Sequence, residues 1–100
     1  MLMALRHWTG SQLLRRLIQD FLSEKLPTDV FCSDFITAYN AAVDERVLTA
    51  GEQPPLERLL SEVSFYSPFP EERARIPNYR SEMQVREAAV AAEAALSQMS

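Results

Sequence analysis

Apolar residues recur at helical spacing in four stretches of the chain, and no stretch alternates for long enough to predict a strand. In the first stretch, Leu13, Leu14, Leu17, Ile18, Phe21 and Leu22 share one face, with Arg15, Arg16, Gln19, Asp20, Ser23 and Glu24 opposite. This predicts a helix near residues 10–25, capped by Thr9 or Ser11, with Lys25 in its last turn and Pro27 as the stop. Trp8 is expected to cover one end of the core. In the second stretch Cys32, Phe35, Tyr39 and Ala42 step by three, four and three, and Phe31, Ile36, Val43 and Val47 widen that seam. A helix near 29–49 follows, capped by Thr28 and ended by a left-handed Gly51. It reads as the central helix.

The third stretch opens on Pro54-Pro55, tolerated in a first helical turn. Leu56, Leu59, Leu60 and Val63 form its inward stripe, which predicts a helix near 55–66. Phe65, Tyr66 and Phe69 crowd its end and are expected to plug the core. The fourth starts at the capping box Ser81-Glu82-Met83-Gln84 and predicts a helix near 81–98. Its inward face is built from Met83, Val85, Ala88, Ala89, Ala92, Ala95, Leu96 and Met99. Between the third and fourth helices lies a loop of 14 residues, 67–80, in which Pro68, Pro70 and Pro77 are expected to preclude regular structure. Helix–helix connections are usually ~2–8 residues, and longer ones are commonly functional. The expected fold is all-α: one domain over residues 1–100, a predominantly antiparallel four-helix bundle.

Charge changes this picture by its placement. Net charge is −4. Residues 1–25 hold four cations against two carboxylates, and residues 73–100 hold four arginines against three carboxylates. Residues 26–72 hold nine carboxylates against Arg46 and Arg58, so the acidity is central. Such a field repels nucleic acid and steers a basic partner. A solvated surface without a partner is the plainer reading.

Candidate chemistry is sparse. The one histidine, His7, lies near the N-terminus, and two isolated glycines cannot make a phosphate-cradling loop. No Cys/His cluster has zinc-ligand spacing. Asp44-Glu45 and Glu71-Glu72 are adjacent pairs, and neighbours on a helix diverge by about 100°. No enzyme activity, metal or other cofactor is expected. The single Cys32 reads as a buried small hydrophobe and cannot form an internal disulfide. No window predicts a membrane span, and the opening MLMALRHW lacks a signal-peptide pattern, so a cytoplasmic location is expected.

Two blocks of the chain carry a family resemblance. One is LLRRLIQDFLSEKLPTDVFCSDFITAYN, with Phe31, Phe35 and Tyr39. The other is LERLLSEVSFYSPFPEERARIPNYRSEMQVREAAVAAEAAL, in which a Leu-rich helix leads into an aromatic-Ser-Pro-x-Pro-Glu-Glu-Arg loop. Over residues 11–97 the chain resembles the colicin D immunity protein family, including immunity proteins of contact-dependent growth inhibition. Such sequences tend to carry an acidic stretch before the last helix. This chain has Asn78-Tyr79-Arg80-Ser81-Glu82 there, leaving one carboxylate.

The resemblance implies a small helical bundle that binds the basic active-site cleft of a cognate toxin nuclease, a tRNase, and blocks tRNA entry. Carboxylates in that cleft would stand where phosphates bind. The expected contact residues are Glu57, Glu62, Glu71 and Glu72, with Asp44 and Glu45 beside them. Tyr66 is read as core packing, with an aromatic anchor at the interface as the alternative. The free protein is expected to be a monomer that forms a heterodimer with the toxin and touches neither nucleic acid nor membrane. A homodimeric adaptor is the rival reading.

Overall fold

The computed structural model describes residues 11–98, so the expectations for His7, Trp8, Thr9 and Met99 lie outside the described residues. Five helices are present among them: α1 Ser11–Leu22, α2 Thr28–Asp44, α3 Gln53–Ser64, α4 Pro70–Arg75 and α5 Glu82–Gln98. The described chain is all-α, with one isolated bridge between Tyr66 and Arg80. The four longer helices close a ring of contacts: α1 on α2, α2 on α3, α3 on α5 and α5 on α1.

The core follows the apolar periodicity. Leu14, Ile18 and Phe21 of α1 are buried, as are Phe31, Cys32, Phe35, Tyr39 and Ala42 of α2. Phe21 near the end of α1 stacks on Phe31 near the start of α2, centroids 4.3 Å apart and rings 4° from parallel. Those two helices therefore run in opposite directions. Phe35 and Tyr39 continue the aromatic file down α2 at 5.7 Å and 6.2 Å. Leu56, Leu59 and Val63 from α3 meet Val85, Ala89, Ala92 and Leu96 from α5 in the same core. The alanines let α5 approach closely, and Arg86 lies over the Phe21 ring at 4.8 Å to tie α5 to α1.

The helix ends depart from the sequence expectations in instructive ways. α1 stops at Leu22, three residues early, because Glu24 turns left-handed (φ 65°) and the Lys25 N–H donates to the Asp20 carbonyl at 2.8 Å. That closure frees Leu26 to pack against the core before Pro27. Thr28 is the buried first residue of α2 rather than its cap; extended Pro27 precedes it. α2 ends at Asp44, since Arg46 (φ 58°) takes the left-handed position expected of Gly51. The Val47 N–H then donates to the Ala42 carbonyl, and Val43 and Val47 stand exposed instead of widening the seam.

Pro54-Pro55 does sit in the first turn of α3. The Ser81 capping box forms as read. The Ser81 N–H donates to Gln84 Oε1 at 2.8 Å and the Gln84 N–H to Ser81 Oγ at 3.2 Å. Met83, placed on the inward face by the sequence, is 70% exposed. The largest correction is inside the long loop. Pro70 does not preclude structure; it opens α4, because a first-turn proline lacks only an N–H that the helix would leave unpaired anyway. Glu71 and Glu72 in its first turn and Arg73 and Arg75 in its last match the helix dipole at both ends.

Candidate partner-binding surface

Residues 67–80 form a closed loop rather than a slack connection. At its base the Ser67 N–H donates to the Arg80 carbonyl at 2.9 Å and the Arg80 N–H to the Phe65 carbonyl at 2.7 Å. The Arg80 guanidinium adds a 2.8 Å ion pair from Nε to Glu62 Oε1 and a hydrogen bond from Nη1 to the Asn78 carbonyl. Ser67 is the inner knot. It is 3% exposed, its hydroxyl donates to Glu72 Oε1 at 2.7 Å and accepts from the Phe69 N–H at 3.2 Å. Arg73 Nη1 donates to the Ser67 carbonyl at 2.6 Å. Every one of these partners is polar. The loop is fixed by hydrogen bonds where the bundle is fixed by apolar burial.

The predicted contact residues divide between two places. Glu62, Tyr66, Glu71 and Glu72 lie on or beside the loop. Glu62 is half-buried and engaged by Arg80, while Glu71 and Glu72 are exposed. Tyr66 is half-buried against the core, as its packing reading expected. Burial pushes its phenol pKa up, with Glu82, Cys32 and Asp29 adding to that and Arg73 opposing. Asp29 at the start of α2 thus belongs to the loop end of the bundle. Asp44 lies 15 residues further along, roughly 22 Å at 1.5 Å per residue. Asp44 and Glu45 are therefore not beside the loop carboxylates. Glu57, exposed on α3, lies between the two groups and helps hold the Tyr39 pKa up, after burial.

The expected aromatic plug is overturned for two of its three members. Phe65 is 44% and Phe69 54% exposed. Phe69 precedes Pro70 and is held extended (φ −99°, ψ 113°), and its ring is no part of the buried core. Phe65 consequently does not help hold α3 to the core.

Sequence reasoning missed the polar residues that order these segments. Ser67, Arg73 and Arg80 pair across 5 to 18 positions with no local pattern to announce them. A second knot did have a signal. Thr49-Ala50-Gly51-Glu52 has capping-box spacing, and the Thr49 N–H donates to Glu52 Oε1 at 3.0 Å while the Glu52 N–H donates to Thr49 Oγ1 at 3.2 Å. Arg15 of α1 reaches the other Glu52 oxygen at 3.3 Å. Burial alone would raise the Glu52 pKa. Hydrogen bonds from the Thr49 backbone and from Ser11, Thr49 and Arg15 outweigh it and hold the carboxyl below its ordinary range.

Among the described residues no three His, Cys, Asp or Glu side chains converge as metal ligands. Burial, then Asp29, pushes the Cys32 thiol up to about 12, so it is protonated and unreactive at neutral pH. A groove of about 360 Å³ runs between α3 and α5, floored by Pro55, Leu59, Ala88 and Ala92 with Arg58 and Glu62 at its edge. It carries no buried nucleophile or acid–base pair. No described helix is long and apolar enough to cross a membrane. No family model, curated protein or solved structure matches the chain, so the resemblance drawn from its Phe31, Phe35, Tyr39 and loop residues stands on those residues themselves.

Proposed function

We propose that the chain is an immunity protein, a non-enzymatic inhibitor that occupies the basic cleft of a cognate toxin nuclease acting on tRNA, in the cytoplasm of the producing cell. The observation that carries this reading is the charge of α2. Its 17 residues include Asp29, Asp34 and Asp44, all exposed, and no cation. Glu45 extends the acidic run and exposed Glu57 borders it from α3. The loop adds Glu71 and Glu72 on a fixed backbone. A nuclease holds phosphates with Lys and Arg, so a carboxylate surface competes for the same groups and accelerates encounter by opposite charge. Asp44 and Glu45 lie a helix length from the loop carboxylates, so they and Glu57 would meet the rim of the cleft while Asp29 and the loop meet its mouth.

Co-expression with the nuclease domain of the toxin encoded immediately upstream tests the reading. Growth and intact tRNA are expected; cell death in the presence of well-folded chain sinks it. Charge reversal of Glu71 and Glu72 to lysine is expected to weaken binding by at least ~10-fold and flatten its salt dependence with the four longer helices intact; because Glu72 also accepts from the Ser67 hydroxyl, Glu71→Lys alone reports the charge effect without loosening the loop. Unchanged affinity would move the interface off the loop.

The homodimeric adaptor has one observation in its favour, the exposure of Met83 and Val90 on α5, at 70% and 53%. Sedimentation of the free chain separates the readings. The inhibitor is monomeric at micromolar concentration and the adaptor is not.

A further inference from the structure

We infer that Phe69 is the apolar anchor of the interface, and that the partner's basic surface holds an apolar pocket that takes its ring. This deepens the inhibitor reading above and rests on it. Four observations on one short segment converge.

Phe69 exposes 54% of its surface and contributes nothing to the buried core. Pro70 follows it and confines its backbone to the extended region, where it sits at φ −99° and ψ 113°. Its own backbone polar groups are both spent: the N–H donates to Ser67 Oγ at 3.2 Å and the carbonyl accepts the Arg73 N–H at 3.2 Å. Glu71 and Glu72 follow at once, in the first turn of α4.

An aromatic side chain kept in water is a cost to the free protein, and fixing its backbone spends the ordering entropy before any partner arrives. The same two features describe an interface hot spot: a rigid aromatic with few rotors, entering a pocket and ringed by polar contacts.

The charges beside it select the partner. Arg73 is turned inward to the Ser67 carbonyl and Arg80 is held by Glu62, so those two cations are engaged within the loop. Glu72 gives one oxygen to Ser67 and Glu71 is exposed. Exposed Arg75, one turn beyond Glu71, is the cation that works against a basic partner. A site with an apolar centre and a basic rim satisfies Phe69, Glu71 and Glu72 together. A bare phosphate-binding cleft would satisfy only the two carboxylates.

The test is calorimetric titration of the upstream-encoded nuclease domain with the full chain, its Phe69→Ala, Phe69→Leu and Arg75→Ala variants, and the Glu71→Lys/Glu72→Lys double variant, at several salt concentrations. Phe69→Ala is expected to weaken binding at least ~30-fold, with the melting temperature and the salt slope unchanged. Phe69→Leu should retain most of the affinity, because an apolar pocket accepts it. Arg75→Ala should tighten binding about 3-fold at low salt.

Wild-type binding with Phe69→Ala within twofold of it overturns the anchor and leaves the inhibitor reading standing. Absence of wild-type binding removes both. If the free chain sediments as a dimer that Phe69→Ala dissolves, the ring's occupant is a second copy and the proposal fails on that ground.

Discussion

The bundle and the loop of residues 67–80 are built from opposite materials. The bundle closes on a file of aromatic rings, Phe21, Phe31, Phe35 and Tyr39, and on alanines that draw α5 in. The loop buries no large apolar side chain; Ser67 and Arg80 hold it through hydrogen bonds and one ion pair. Apolar burial is non-directional and stabilises the whole fold, whereas a polar knot fixes a geometry and adds little net stability. Global stability and the geometry of the loop therefore have separate sources, and a substitution in one region need not disturb the other.

The sharpest way to break that separation is to remove a ring. Phe31 is wholly buried and stacks on Phe21 with its plane nearly parallel, so Phe31→Ala leaves a cavity at the α1–α2 seam. A cost of ~3–5 kcal/mol is expected. Urea denaturation measures it through the midpoint at constant slope. A loss below ~1 kcal/mol would mean that the aromatic file is not what closes the bundle.

The bundle has one polar knot of its own, and it makes the comparison finer. Glu52 is 8% exposed and ties Thr49 to Arg15, joining the α2–α3 connection to α1. Glu52→Ala is expected to cost ~1–3 kcal/mol, since it removes the charged acceptor of the part-buried bonds from Thr49 and Arg15. The pH dependence has a definite sign. The folded carboxyl has a lowered pKa, so its contribution is complete above the unfolded value of ~4.3 and is lost as pH falls through the folded value. The stability gap between wild type and Glu52→Gln should therefore be widest near neutrality and close on acidification. Urea midpoints followed downward from pH 7 through the acid range check this; a gap that stays constant throughout would assign the role to packing alone.

The same contrast explains what the sequence disclosed. Leu14, Ile18 and Phe21, the Phe31–Tyr39 seam, the α3 leucines and the Ser81 box were all legible, because burial and capping leave a local period. Local patterns also misled. Pro70 reads as a breaker when counted with Pro68 and Pro77, yet its fixed φ suits a first turn, and α4 forms. Glu24 and Arg46 adopt left-handed turns without glycine, and each is followed two residues on by a leucine, Leu26 and Leu48, packed against the core. Phe65 and Phe69 carry an apolar signal that says nothing of direction. Among the contact residues, spacing brought Glu71 and Glu72 to one turn. Nothing in it revealed that Glu62 is held by Arg80, or that Asp29 rather than Asp44 sits at the loop end of α2. Contacts between residues distant in sequence leave no period to read.

Arg80→Ala is the smallest expected change and the most discriminating. The side chains of Arg80 and Glu62 are 29% and 27% exposed, and partly exposed ion pairs contribute ~1 kcal/mol or less. Global stability by urea should therefore move by no more than that. The backbone bonds at the loop base, Ser67 N–H to Arg80 and Arg80 N–H to Phe65, do not require the side chain, but without it only the Ser67 knot opposes opening. Amide exchange at Ser67 and Arg80 should accelerate by at least ~10-fold while the amides of α2 keep their protection. If α2 loosens in step with the loop, the two regions form one cooperative unit and the separation of global stability from loop geometry is lost. If neither moves, Ser67 and the backbone pair hold the loop alone, and the Glu62 carboxylate is available to a partner at little cost in order.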